Sequence, residues 1–271
     1  MKGWNVSSNR SSAAARRPRP REYEVTLPIG YVDAEGKVHR TVLLRKMTGH
    51  EEAILADRRY HRNGGKLLTE LLTSCIVRLG DIGAPPRSLV SSMSSADRNY
   101  LLVKLRSITF GPELPATYGC PGCGESVQFT DDLDNLPVTN LLDGETLEDV
   151  LVELEDGYLD RDGQVHTALR LRLPVGADEE AVAGQMRDNP SLGKNALLAR
   201  CMQSLGDLPR PRLEALGPKI MGELTLTDRR RIDRAMEEAA PGIDLVRRLE
   251  CPRCGKAFSA SLDMSNFFML A

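Results

Sequence analysis

Two short strings in this sequence carry chemistry: Cys120-Pro121-Gly122-Cys123-Gly124 and Cys251-Pro252-Arg253-Cys254-Gly255. A two-residue spacing lets both thiolates of a pair point at one cation. The glycine after the second cysteine permits the backbone turn that aims N–H groups at sulfur. One pair supplies two ligands, whereas a structural zinc site takes four. No second C-x-x-C and no H-x-x-H stands beside either string. Cys120, Cys123, Cys251 and Cys254 can instead meet across an internal pseudo-twofold as one four-thiolate site, with two separate sites as the other arrangement. A shared site would hold one zinc per chain and close a loop of about 127 residues. Four thiolates leave no open position for water or substrate, so the expected role is structural. The rival chemistries are a redox pair and two disulfides. A redox C-x-x-C opens a helix after a strand, and the flanks here read as hairpins.

The remaining candidates point away from catalysis. Cys75 and Cys201 sit at equivalent places on apolar helical faces and read as small core residues. His39 and His166 are equivalent strand positions, while His50 and His61 have no matching ligand pattern. Phosphate-binding glycine loops, H-E-x-x-H and G-x-S-x-G are all absent. Asp97-Arg98 and Asp228-Arg229 recur near helix starts, where capping and surface pairing are expected rather than acid–base work. The run Arg229-Arg230-Arg231 reads as a solvated helix face. No enzyme is expected.

The elements that must position the cysteines come in two series. Gly30-Tyr31-Val32-Asp33 with Gly36-Lys37-Val38-His39 recurs 127 residues later as Gly157-Tyr158-Leu159-Asp160 with Gly163-Gln164-Val165-His166. Cys75 with Leu79-Gly80-Asp81 recurs 126 later as Cys201 with Leu205-Gly206-Asp207. The Asp-Arg pairs and the cysteine strings both recur at 131. Four matches in one order predict a tandem duplication: a disordered basic tail over 1–21, then repeats over 22–145 and 146–271.

Within the first repeat, residues 23–29 and 38–45 alternate as a β-hairpin, and 149–155 with 165–173 do so in the second. Thr48 and Glu51 mark a capping box opening a helix near 49–60, with Asp178 offered as its counterpart. Leu67 to Leu79 reads as one apolar helical face, as does Leu197 to Leu205. Third helices begin near Ser95 and Thr227. The expected fold class is α+β, each unit closing on its zinc knuckle.

The charge divides along the same line. Residues 1–21 hold six basic residues and no acid, and the chain's other 30 basic residues face 38 acids. The body is therefore acidic, and aromatics make up only 4 % of the chain. Both features argue against a nucleic-acid platform. No apolar run approaches the roughly 20 residues that span a bilayer. No secretory core follows the basic start, so a cytoplasmic location is expected.

The run Met47-Thr48-Gly49-His50-Glu51-Glu52, Asp97-Arg98-Asn99-Tyr100-Leu101-Leu102, Leu105-Arg106-Ser107-Ile108-Thr109-Phe110-Gly111 and the first cysteine string resembles the baseplate hub assembly chaperone family of T-even phages and related contractile injection systems. The likeness covers about 22–135 well and 150–271 more loosely. Glu237-Glu238-Ala239-Ala240 stands where the second repeat should carry the Ser-Ile-Thr-Phe-Gly segment. The resemblance implies a non-enzymatic chaperone or minor baseplate component that binds hub, spike or tail proteins in a bacterial host cell or in the particle itself. Candidate docking surfaces are the loop Ile82–Val90 and the terminal Phe267-Phe268-Met269-Leu270, for which strand packing is the competing reading. The alternative functions are a zinc-ribbon nucleic-acid binder using the Arg-rich tail and a redox enzyme using the cysteine pairs.

Overall fold

A computed structural model describes residues 21–142, 144–262 and 267–268. The tail expected over 1–21 thus lies outside the described residues apart from Arg21, as do Met269 and Leu270.

The first series begins with β1 (Glu22–Val32) and β2 (Val38–Arg45), followed by α1 (Gly49–Leu55), α2 (Gly64–Cys75) and β3 (Ile76–Leu79). Next come α3 (Arg87–Ser92), α4 (Ser95–Phe110), β4 (Glu113–Gly119), β5 (Ser126–Asp132) and the short β6 (Val138–Thr139). The second series runs β7 (Val150–Leu159), β8 (Val165–Leu171), α5 (Gly176–Asp188), α6 (Pro190–Cys201) and β9 (Met202–Leu205). It continues with α7 (Arg210–Glu223), α8 (Leu226–Ala239), the short β10 (Gly242–Ile243), β11 (Val246–Glu250) and β12 (Ala257–Ser261). Helices and separate antiparallel sheets make this an α+β fold. No helix among the described residues is long and apolar enough to cross a membrane.

Each series builds a three-stranded antiparallel sheet, β1-β2-β3 and β7-β8-β9. Both hairpins carry a register shift at the same place, between Thr26 and Tyr31 and between Glu153 and Tyr158. A buried carboxylate holds each irregularity. Asp97 accepts from the N–H groups of Ile29 and Gly30, both at 2.9 Å. Asp228 accepts from Glu155, Asp156 and Gly157 at 2.6, 3.2 and 3.0 Å. The N–H groups released by a bulge need acceptors once buried. This corrects the surface role expected for Asp97 and Asp228: both are buried in the strand–helix contact. Burial pushes the Asp97 carboxyl up, against the pull of these N–H groups and Ser94.

Three further expectations need correction. The apolar face starting at Leu67 does not stay helical through Leu79, because the chain leaves α2 at Cys75 and completes the sheet as β3. The second series does the same at Cys201. Strand pairing beside β2 wins over helical periodicity there. The end of the candidate docking loop Ile82–Val90 is instead the start of α3, whose Val90 is fully buried, while Gly83, Ala84, Pro86 and Ser88 stay exposed. The counterpart of Glu51 is Asp178 at the third position of α5, not its cap: Asp178 reaches back to the Val175 N–H at 3.1 Å.

The capping box at Thr48 forms as expected, with the Thr48 N–H donating to Glu51 at 2.8 Å. Glu51 then takes Arg45 in a two-pronged pair at 2.6 and 3.0 Å, as Asp178 takes Arg172 at 2.6 and 3.0 Å. Main apolar cores form around Leu44, Leu72 and Leu101 in the first series and Leu171, Leu205 and Ile220 in the second. The two series meet where α2, α3 and α4 pack on α5, and where β6 pairs with β10.

Candidate metal centre

The cysteine strings close two antiparallel ribbons. In β4–β5 the last pairs are Tyr118 with Val127 and Gly119 with Ser126; in β11–β12 they are Leu249 with Phe258 and Glu250 with Ala257. Both tips turn through the same hydrogen bonds. Cys120 N–H donates to Glu125 and Gly124 N–H to Cys120, both at 2.9 Å. Cys251 N–H donates to Lys256 at 3.0 Å and Gly255 N–H to Cys251 at 2.9 Å. Gly124 and Gly255 sit at φ +74° and +69°, the left-handed region the sequence reserved for glycine.

The ribbons pack on each other through Tyr118, Val127, Phe129, Leu249 and Phe258. A buried Asp131 ties them together, accepting from Tyr118 Oη at 2.5 Å and from Arg247 Nε at 2.6 Å. An ion pair between Arg253 and Glu125 joins the tips. These bridging residues escaped the sequence analysis, since nothing in local spacing links Asp131 to Arg247.

This packing brings all four Sγ atoms within 4.8 Å of one another. The closest approaches are crossed, Cys120 to Cys254 at 3.7 Å and Cys123 to Cys251 at 3.8 Å. A disulfide requires about 2.05 Å, and all six cysteines are free. Four thiolates 2.3 Å from a tetrahedral zinc would stand about 3.8 Å apart. The donor set and its spacing fit a metal ion such as zinc. The first cysteine of each string is buried and the second is exposed.

The Cys120 and Cys254 thiols are shifted in opposite directions. N–H groups of Cys123 and Gly122 draw Cys120 down to about 6, and the Gly122 contact measures 3.3 Å. The Lys256 N–H favours the Cys254 thiolate. Desolvation and the neighbouring Cys120, Cys251 and Cys123 outweigh it and push that thiol up to about 11. Four thiolates in contact repel, and a bound cation would relieve that repulsion.

Elsewhere the candidates fall into structural places. Cys75 and Cys201 are fully buried, and burial pushes each thiol up to about 12. They are inert core residues. His39 faces a half-buried Asp33 at 2.8 Å, and His166 faces a buried Asp160 at 3.3 Å. Arg230 and Arg231 are exposed as expected, but Arg229 is half-buried and donates to the Met221 carbonyl at 2.9 Å.

The model of the T4 bacteriophage base plate protein family matches residues 21–269. The chain belongs to that family. Membership extends the likeness seen in 22–135 across both series. No curated protein and no solved structure matches the chain. A base plate family member is expected to contact other baseplate or tail proteins and to serve structurally. In that setting a closed thiol cluster is better suited to holding two ribbons together than to chemistry.

Proposed function

We propose that the chain is a non-enzymatic assembly chaperone or minor structural component of the baseplate hub of a contractile phage tail or tail-like injection system. It acts in the host cell where the tail is built, or stays in the particle, and it binds hub, spike or tail proteins. One structural zinc per chain is held by Cys120, Cys123, Cys251 and Cys254. The observation that carries the zinc reading is the crossed approach of thiols lying about 130 residues apart in sequence. The body is a tandem duplication over 22–145 and 146–271, supported by the repeated strings, sheets and register shifts. The metal then fastens the end of one copy to the end of the other. Closing a loop of that length contributes on the order of 5 kcal/mol.

Elemental analysis of the purified full chain should find one zinc per chain, lost in Cys251→Ser/Cys254→Ser. That variant should unfold about 10 °C or more below the parent. A folded chain without stoichiometric metal would overturn the zinc reading. Co-expression with tail proteins encoded beside it should give a co-purifying complex, and failure to retain any of them would overturn the baseplate reading.

A further inference from the structure

One face of the first series carries an apolar groove of about 850 Å³. Leu55, Leu67, Leu68, Leu102, Phe110 and Phe268 line it. Its wall includes Thr109 and Phe110 of the Ser-Ile-Thr-Phe-Gly segment that the second series lacks. Phe267 also borders it but is buried in the core, and its carbonyl accepts from Arg106 at 2.9 Å. Among its described residues, the expected apolar docking end thus lines the groove, with Phe267 also anchored in the core.

The second series shows that the fold does not require this lining. By the offsets of 126 and 131, Lys194 stands where Leu68 does, Asp233 where Leu102 does, and Pro241 where Phe110 does. Lys194 and Asp233 form an ion pair at 2.6 Å. The same helix packing is thus compatible with a salt bridge at positions where the first series leaves leucines on a groove. Apolar surface that the fold can replace by charge is accounted for by what binds there.

Two observations define the occupant. First, the groove walls come from helices α1, α2 and α4 with Met47, Thr48, Phe267 and Phe268 at the border, and none of these lining residues lies in a strand. They offer no strand edge to an extended segment, so the occupant must satisfy its own backbone bonds as a helix does. Second, the loop between Ala56 and Gly64, both on the groove, is basic. Arg58, Arg62 and nearby Lys66 are exposed and have no ion-pair partner among the described residues. Asp57 is engaged by Arg59 at 2.6 Å, and Glu52 is the acid on the groove itself.

We propose that this groove docks an amphipathic helix of a partner baseplate protein, apolar on the face that enters and acidic at the end meeting Arg58, Arg62 and Lys66. The inference rests on the baseplate reading and names its contact surface.

The test uses the full chain and a fluorescein-labelled helical peptide. The peptide bears leucines at i, i+3, i+4 and i+7 and glutamates at one end. A second peptide replaces glutamate by lysine. Anisotropy should report binding of the acidic peptide, with the lysine peptide at least about tenfold weaker. Arg58→Glu/Arg62→Glu/Lys66→Glu should weaken the acidic peptide about tenfold or more and reverse the preference. Leu68→Lys/Leu102→Asp, which copies the second series, should abolish binding while the melting temperature stays within a few degrees. Equal binding of both peptides, no binding at about 100 µM, or binding that survives Leu68→Lys/Leu102→Asp would overturn the proposal. Dimerisation lost in that double variant would give the groove to a second copy and overturn it too. Tail proteins retained equally by parent and double variant would sink the groove and leave the baseplate reading standing. Tail proteins retained by neither would sink that reading, leaving the peptide titration to judge the groove.

Discussion

The two halves of the body share their buried polar contacts and differ in their surfaces. Asp97 and Asp228 hold equivalent strand irregularities. Glu51 and Asp178 each reach back from the third position of equivalent helices to the cap N–H while gripping an arginine. Cys75 and Cys201 fill equivalent points in the core. By contrast, an apolar groove in the first half corresponds to the Lys194–Asp233 ion pair in the second. Folding constrains the buried hydrogen bonds in both halves alike. Where one half keeps an unneeded apolar surface, the difference marks what the molecule touches.

The sharpest break in the equivalence is Arg98 against Arg229. Arg98 is 0 % exposed. It donates to Thr69 Oγ1, the Val90 carbonyl and the Gly65 carbonyl at 2.9, 3.0 and 3.1 Å, with Glu179 at 3.5 Å from the other half. Gly176 lies so close that a Cβ there would fall 2.3 Å from Arg98 Cζ. Arg98 thus fills the seam between the halves, whereas Arg229 stays in its own half, bonding Met221 and Asn195. Arg98→Ala should cost about 4 kcal/mol, since it opens a cavity and removes three hydrogen bonds inside the seam. Arg229→Ala should cost about 1 kcal/mol. Urea denaturation of the two variants measures both, and equal losses would mean that Arg98 is no seam residue.

This seam was the part of the fold least legible in the sequence. The hairpins could be read because alternation and the Asp-x-x-Gly turns are local. That the four cysteines could meet was readable because the repeat implied a partner for each pair. Asp97 resembled a cap because Ser94 does accept from its N–H at 3.1 Å. The carboxylate's true partners stand 67 and 68 positions away. Likewise β3 continues the spacing of α2 without a break, and only pairing with β2 distinguishes it. Local pattern reports local bonds; the contacts that cross between elements leave only the faint signal that the same residue recurs.

Acid should test whether the two cap networks act alike. Burial alone would raise Glu51, but hydrogen bonds from Arg45, Ser74 and Thr48 outweigh it and hold the carboxyl at about 2. Burial likewise opposes the lowering of Asp178, which Arg172 and the Val175 N–H bring about. A carboxyl depressed by folding binds its proton more readily in the unfolded chain. Its stabilisation is therefore present above the unfolded value of about 4.5 and is lost as pH falls from there toward about 2. For Glu51 the shift corresponds to about 3 kcal/mol. Glu51→Gln should lose roughly that amount near neutrality and show a flatter fall in urea midpoint through the window. An unchanged slope would refute the assignment, and Asp178→Asn should flatten the remainder.

The smallest effect bears most directly on equivalence. In each half a buried histidine lies between an aspartate and a glycine. Asp33 accepts from the Glu35 and Lys37 N–H groups at 3.0 and 2.8 Å, and Asp160 from Asp162 and Gln164, both at 2.9 Å. The histidine ring covers Gly80 in the first half and Gly206 in the second, at φ +53° and +49°. A Cβ would fall 2.4 Å from His39 Nδ1 and 2.7 Å from His166 Nδ1. Both backbone and space thus demand glycine, which explains why Leu-Gly-Asp recurs with the distant Asp and His of the hairpin. Gly80→Ala and Gly206→Ala should each cost about 2 kcal/mol, the tighter Gly80 site somewhat more. Thermal denaturation of each variant and of the pair decides the matter. Losses that add across the pair describe two independent copies of one unit, since distant sites should not couple. A loss at only one site would mean that the matching strings had diverged into different structural roles.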